Sequence, residues 1–187
     1  MKWTWMFSFL NKTYMFKMQS VSKPVLETRG IASNIPHTPF HVLFMDYDYV
    51  DLGFLREELE ALIEIFSIGN CYIIQTKENA FHVECLDYLT ASEIVNIVEI
   101  SNEDRAYKRG PLFNKHRGWV HRTEAKGNQE APVFVEVIES PYEGERLQSS
   151  FHAELLNRRF GLEIKLPNPD GLNEGIEDSY LTTKKRK

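Results

Sequence analysis

The stretch FHVLFMDYD, residues 40–48, decides the fold. Its first six residues are mostly apolar, which predicts a buried β-strand. The strand runs directly into Asp46 and Asp48, and residues two apart on an extended backbone point to the same side. The stretch therefore predicts a core strand that carries two carboxylates to one edge of a sheet.

The residues after this strand predict alternating helices and strands. Apolar side chains recur at helical spacing over residues 53–66. The stretch TASE at residues 90–93 has the pattern of a capping box before a second helix. The predicted strands are 71–75, 80–86, 119–122, 132–138 and a short closing strand at 162–166, and a third helix spans 150–160. The order strand, helix, strand, strand, helix, strand predicts an α+β fold with a ferredoxin-like or RRM-like βαββαβ core sheet and an additional β-rich unit.

We expect the chain to divide into three parts. Residues 1–37 form an aromatic segment and a linker, and residues 1–20 are compatible with either a strand or an amphipathic helix. Residues 38–166 form one globular domain. Residues 167–187 are poor in apolar residues and end in four basic residues, which predicts a loosely held tail. The apolar run at the amino end is short and lacks a small-residue cleavage site, so we expect neither secretion nor a membrane span.

Composition narrows the classes of function. The net charge of −5 excludes nucleic-acid binding by overall charge, so such binding requires a local basic patch. Basic residues and histidines do crowd into one stretch: Lys108, Arg109, Lys115, His116, Arg117, His121, Arg122 and Lys126. Cys71 and Cys85 lie in apolar, strand-like runs, which predicts buried free thiols in a reducing compartment, the cytoplasm or the nucleus.

Two further residues are candidates for a site with the acidic pair. Alternation along the strand at 80–86 places Phe81 and Val83 on one face and His82 on the other, on a sheet face open to a ligand. Asp104 follows the second predicted helix. The simpler interpretations are an exposed strand histidine for His82 and a polar helix end for Asp104. Similarly, the residues from Arg117 to Lys126 suit phosphate binding or form a basic surface hairpin.

In their order along the chain, these motifs resemble those of the archaeo-eukaryotic primase superfamily over about residues 38–140. The family has an acidic pair, a small-x-His motif, a hydrophobic-Asp motif and then basic residues. The matching residues are, in that order, Asp46 and Asp48; Ala80-Phe81-His82; Asp104; and Arg117, Arg122 and Lys126. The sequence departs from the family at Ala80, where a hydroxyl residue is common, and at Glu103, which stands in the hydrophobic position. Glu136 is the alternative third acid, and zinc-binding cysteines are absent.

The resemblance implies a nucleotidyltransferase, a DNA primase-polymerase that makes or extends a primer in the replication of a mobile element, virus or plasmid. Its partners would be a single-stranded DNA template, nucleoside triphosphates and a helicase or other replication protein, without a membrane. Asp46, Asp48 and Asp104 would be catalytic and hold Mg²⁺ or Mn²⁺. His82, Arg117, Arg122 and Lys126 would bind the nucleotide. Template bases would stack on exposed aromatic side chains such as Trp119 or Tyr107.

Two alternatives remain open from the sequence. The first is a non-catalytic nucleic-acid-binding accessory protein of replication, either RRM-like or an inactivated primase relative. The Lys/Arg-Gly-Phe/Tyr motif of a true RNA-recognition sheet is absent. The second is a structural or assembly protein that docks through the aromatic amino end.

Overall fold

The computed structural model describes residues 2–9 and 12–19 by their backbone, and residues 30–105, 107–108, 118–123 and 130–171 in full. These residues form an α+β fold with antiparallel sheets and three helices of ten residues or more. The strands are β1 (Lys2–Phe9), β2 (Lys12–Gln19), β3 (Gly30–Ala32), β4 (His41–Asp48), β5 (Cys71–Lys77), β6 (Ala80–Leu89), β7 (Val120–Arg122) and β8 (Val133–Ile138). The helices are α1 (Leu52–Phe66), α2 (Ala91–Ile100) and α3 (Ser150–Phe160).

The large sheet has the strand order β4-β6-β5-β8 and is antiparallel throughout. The order β4-β6-β5 is the one that a split βαβ arrangement requires, with α1 crossing between β4 and β5. The predicted strand at 119–122 does not complete this sheet, because β7 pairs with β3 in a separate two-stranded sheet. The outer edge of β4 is instead contacted by the chain after β3, where the Val42 amide donates to the Ser33 carbonyl at 2.9 Å.

The structure also bears on three other predictions made from the sequence. Strands β1 and β2 pair as an antiparallel hairpin, which decides between strand and helix for residues 2–9 and 12–19. Residues 162–166 form no regular strand. The domain extends past residue 166, because the Tyr88 hydroxyl donates to an Asp170 carboxylate oxygen at 2.6 Å. Residues 172–187 of the predicted tail lie outside the described residues.

One face of the large sheet packs against α1 and α2. Helix α1 begins after Asp51, whose side chain accepts a hydrogen bond from the Phe54 amide, and it buries Leu55, Leu59, Leu62 and Ile63. The predicted capping box is present: Thr90 caps α2 and Glu93 bonds back to the Thr90 amide. Side chains from both helices and from β4, β5 and β6 form one hydrophobic cluster. Both cysteines are buried free thiols, as predicted.

The opposite face of the large sheet packs against α3 and the β3–β7 sheet. Ala153 and Leu156 of α3 cluster with Tyr72, Ile74 and Leu86 of the sheet. Closer to the end of β4, His121 of β7 covers this face. Among the described residues, no helix has both the length and the apolar content needed to cross a bilayer.

Candidate functional site

A pocket of about 270 Å³ lies where β4 ends, beside the turn that joins β5 to β6. Its walls come from β4, β5, β6, β7 and the helical turn that follows α2. The lining residues are Asp46, Asp48, Thr76, Lys77, His82, Tyr107, Val120 and Arg122. Four of the predicted catalytic and nucleotide-binding residues, namely Asp46, Asp48, His82 and Arg122, therefore meet in one place.

Asp46 and Asp48 form the acidic wall of the pocket. They alternate along β4 and lie opposite His82 and Ala80 of β6, so their side chains share a face. Burial, followed by the negative charges of Asp48 and Asp104, raises the pKa of Asp46 to about 6. A cation between these carboxylates would relieve that repulsion.

Asp104 lies beside the acidic pair but also has a local structural contact. Its backbone amide donates to the Asp46 carbonyl at 2.8 Å, which fixes the two chain segments together. One of its carboxylate oxygens accepts a hydrogen bond from the Tyr107 amide at 2.9 Å, as a cap of the helical turn. Asp104 thus contributes negative charge at Asp46 and anchors the turn that carries Tyr107.

The acids fit a divalent cation only in part. In the portion of the chain that the structure describes, no three His, Cys, Asp or Glu side chains are arranged to hold a metal ion. Mg²⁺ commonly takes one or two carboxylates together with substrate phosphates, and Asp46 with Asp48 supplies such a pair. The alternative third acid, Glu136, is bound by Arg56 at 2.7 Å on the side of the sheet that faces α1. Glu136 is therefore not part of this pocket.

His82 lies on the predicted face of the sheet, but that face is not open. Its side chain is only 7% exposed, with Nε2 at 3.8 Å from Asp46 Oδ1. The ring of His121 stacks on it at a centroid distance of 4.0 Å. Burial, with the neighbouring charges, holds the pKa of His82 well below its usual value, so the imidazole is neutral. The prediction of a histidine on an open face is wrong: His82 forms the floor of the pocket, against Asp46.

The basic side of the pocket consists of Arg122 and Lys77. Arg122 donates to the Thr76 carbonyl at 3.1 Å and lines the pocket. Lys77, which the sequence reasoning missed, places Nζ 2.9 Å from Asp48 Oδ1. Lys77 could have been identified from its position, because it is the last residue of β5 and lies across the turn from Ala80. Arg117 and Lys126 lie outside the described residues.

A buried polar cluster lies beneath the pocket. His121 is wholly buried, with Nδ1 at 3.1 Å from Glu84 Oε1 and Nε2 at 3.1 Å from the Met45 carbonyl. Its ring is sandwiched between His82 and Phe44, the latter at 4.2 Å between centroids. Burial raises the pKa of Glu84 to about 7 and holds the pKa of His121 well below its usual value. His121 therefore belongs to the interior and not to the basic surface stretch in which the sequence placed it.

The aromatic residues near the pocket differ from the expected ones. Trp119 is 3% exposed, so its predicted role as an exposed stacking surface is wrong. Tyr107 is half-buried in the pocket wall, with its ring 5.7 Å from that of His121. Of the aromatic residues that the structure describes beside the pocket, the strongly exposed one is Tyr49, at 89%.

Fold and pocket together define an α+β domain whose core strand β4 presents two carboxylates to a pocket that also contains two cationic side chains. No protein-family model matches the chain, and neither a curated protein nor a solved structure matches it.

Proposed function

We propose that this chain is a DNA primase/polymerase-like nucleotidyltransferase that makes or extends a primer on single-stranded DNA, using Mg²⁺ or Mn²⁺. The observation that carries the proposal is the meeting of Asp46 and Asp48 with Lys77 and Arg122 in one pocket. Carboxylates that hold a cation, beside cations that hold phosphate, are what phosphoryl transfer from a nucleoside triphosphate requires.

Each side of the pocket has a distinct task in this proposal. Asp46 and Asp48 would hold a divalent ion, which would supply neutralisation of the charge on the triphosphate. Arg122 and Lys77 contact phosphate oxygens, Arg122 with its planar fork of donors and Lys77 as a point charge. His82, neutral and buried, packs against Asp46 from below, and we assign it a positioning role. Nucleoside triphosphates and single-stranded DNA are the proposed partners.

The fold assignment that goes with this function is also a proposal. The unit β4-α1-β5-β6-α2 would be the ferredoxin-like or RRM-like half of a primase-type domain. The β3–β7 sheet would be the additional β-rich unit that closes the pocket from the other side. The strand order β4-β6-β5 and the placement of the acidic pair at the end of β4 support it.

A specific observation favours a second candidate, an inactivated relative that binds nucleotide without chemistry. Asp48 is already ion-paired with Lys77, which leaves Asp46 as the acid without a cationic partner at ion-pair distance among the described residues. An RRM-like reader is less well supported, because α3 and the β3–β7 sheet cover the face such a module leaves open for RNA.

Primer synthesis on single-stranded DNA with Mg²⁺ or Mn²⁺ tests the proposal. We expect the double variant Asp46→Ala, Asp48→Ala to lose about a hundredfold or more in rate, because the cation loses its protein ligands. The double variant Glu57→Ala, Glu60→Ala removes the same charge from the exposed side of α1 and should keep full activity. Thermal melting establishes that both variants are folded.

The result separates the two candidates. Full activity in the double variant at Asp46 and Asp48 would exclude the proposed site. A wild-type protein that binds nucleotide but makes no primer would favour the inactivated relative.

A further inference from the structure

Tyr49 combines three features that the pocket itself does not explain. It directly follows Asp48 and is the most exposed of the large hydrophobic side chains that the structure describes, at 89%. Its backbone has a φ of 64°, the left-handed region that an aromatic residue seldom adopts. The next residue is tied down, because the Val50 amide donates to the Asn79 carbonyl at 3.1 Å. The backbone at Tyr49 therefore belongs to a fixed turn, and the ring projects from this turn into solvent.

Lys77 contacts both this ring and Asp48 in the acidic wall of the pocket. Its ammonium nitrogen lies 5.3 Å from the centroid of the Tyr49 ring and 2.9 Å from Asp48 Oδ1. An anion held by Lys77 in the pocket would thus have the aromatic ring next to it. A ligand with phosphates at one end and a flat, unsaturated group at the other matches this arrangement.

The charged residues around Tyr49 favour a ligand of this kind over a docked protein. The ring stands between an acid and an amine, and the core of a protein–protein interface is depleted in such charged residues. Trp119 is buried and Tyr107 is half-buried, so Tyr49 is the aromatic ring with an accessible face among the described residues near the pocket.

We propose that Tyr49 is the base-stacking residue of the site: the nucleobase of a bound nucleotide stacks on its ring while the phosphate chain lies between Lys77 and Arg122. This inference rests on the proposed nucleotide binding and adds what recognises the base. Stacking accepts any base, since every base has a π-face. The residue therefore provides affinity for nucleotides without selecting one base.

Binding of Mg²⁺–ATP and of Mg²⁺–tripolyphosphate to the same protein, measured by calorimetry, tests the inference. Tripolyphosphate has the phosphate chain without the base. We expect Tyr49→Ala to weaken ATP binding about tenfold, equivalent to about 1.4 kcal/mol, and to leave tripolyphosphate binding unchanged. Tyr49→Phe keeps the ring and should bind both ligands like the wild type.

Each other outcome overturns the inference in a distinguishable way. Equal weakening of both ligands by Tyr49→Ala would mean that the ring acts on the phosphate pocket through Lys77. No weakening of either ligand would remove Tyr49 from the site and leave the proposed nucleotide binding intact. A wild-type protein that binds neither ligand would overturn both this inference and the proposed function.

Discussion

The two faces of the four-stranded sheet are both buried, but they are filled with different chemistry. Beneath α1 and α2 the sheet buries side chains such as Met45 and Val83. On the other face, the same strands bury His82 and Glu84 under His121. Buried ionisable groups lose solvation and contribute less to stability than apolar groups of the same size, and they concentrate at functional sites. The comparison teaches that the α1–α2 face maintains the fold, whereas on the opposite face the region under His121 supports the pocket and the region under α3 is apolar.

The largest effect should come from the apolar face. Leu59 of α1 is wholly buried, and Leu59→Ala should lower the free energy of unfolding by about 2–5 kcal/mol through lost burial and a cavity. Urea denaturation measures the change. Ile65, on the same helix but 63% exposed, is the matched control, and Ile65→Ala should change stability by about 0.5 kcal/mol or less.

If the faces are independent, folded Leu59→Ala protein binds Mg²⁺–ATP as the wild type does. Weaker binding by the folded fraction would show that the apolar face also sets the geometry of the pocket.

The second prediction concerns the proton that His121 and Glu84 share. A carbonyl oxygen only accepts hydrogen bonds, so His121 Nε2 donates to Met45. Nδ1 then either accepts from a protonated Glu84 or donates to its carboxylate. In both cases the folded pair holds one proton. The unfolded pair also holds one between the ordinary pKa of glutamate, 4.5, and that of histidine, 6.5. The pair therefore adds no pH dependence to stability in this window.

Glu84→Gln should create such a pH dependence. The amide can still donate to Nδ1, and the folded His121 stays neutral because burial holds its pKa well below the usual value. The unfolded histidine binds a proton below its ordinary pKa of 6.5, so the unfolded state gains protons that the folded state lacks. Stability of the variant relative to the wild type should fall as the pH drops, by up to about 1.4 kcal/mol per pH unit.

Urea denaturation of both proteins at several pH values between 4.5 and 6.5 measures this difference. Leu59→Ala is the control, because it lowers stability without adding or removing a titratable group. Parallel pH profiles for Glu84→Gln and the wild type would show that the two residues do not share a proton.

Local sequence patterns predicted most of the elements and side chains on the α1–α2 face, but only half of those that form the pocket on the opposite face. Helical spacing gave α1, a capping box gave the start of α2, and strand alternation placed Asp46 and Asp48 together and His82 on their side of the sheet. Alternation cannot reveal what covers a face. His121 is buried by contacts with Glu84 and Met45, which are distant in sequence, while its neighbour Val120 is 43% exposed. From hydropathy alone, Val120 would be predicted to be buried and His121 to be exposed.

The smallest predicted effect is the change in stability when backbone strain is relieved. We compare one strained residue on each side of the sheet. Ser67, at the end of α1, and Tyr49, beside the pocket, have φ values of 49° and 64°. Glycine adopts these angles without steric conflict, so Ser67→Gly and Tyr49→Gly should each raise the free energy of unfolding by about 0.5–1 kcal/mol. The carbonyl of residue 67, which accepts a hydrogen bond from Arg146, is kept in the glycine variant.

The two variants should then differ in ligand binding. Ser67→Gly should bind Mg²⁺–ATP as the wild type does, whereas Tyr49→Gly should bind it more weakly although it is more stable. That combination would mean that the strain at Tyr49 is retained because the ring is needed, as strained residues at functional sites often are. A loss of stability in Tyr49→Gly would instead mean that the contact between the ring and Lys77 holds the turn together, and that the ring's position needs no ligand to explain it.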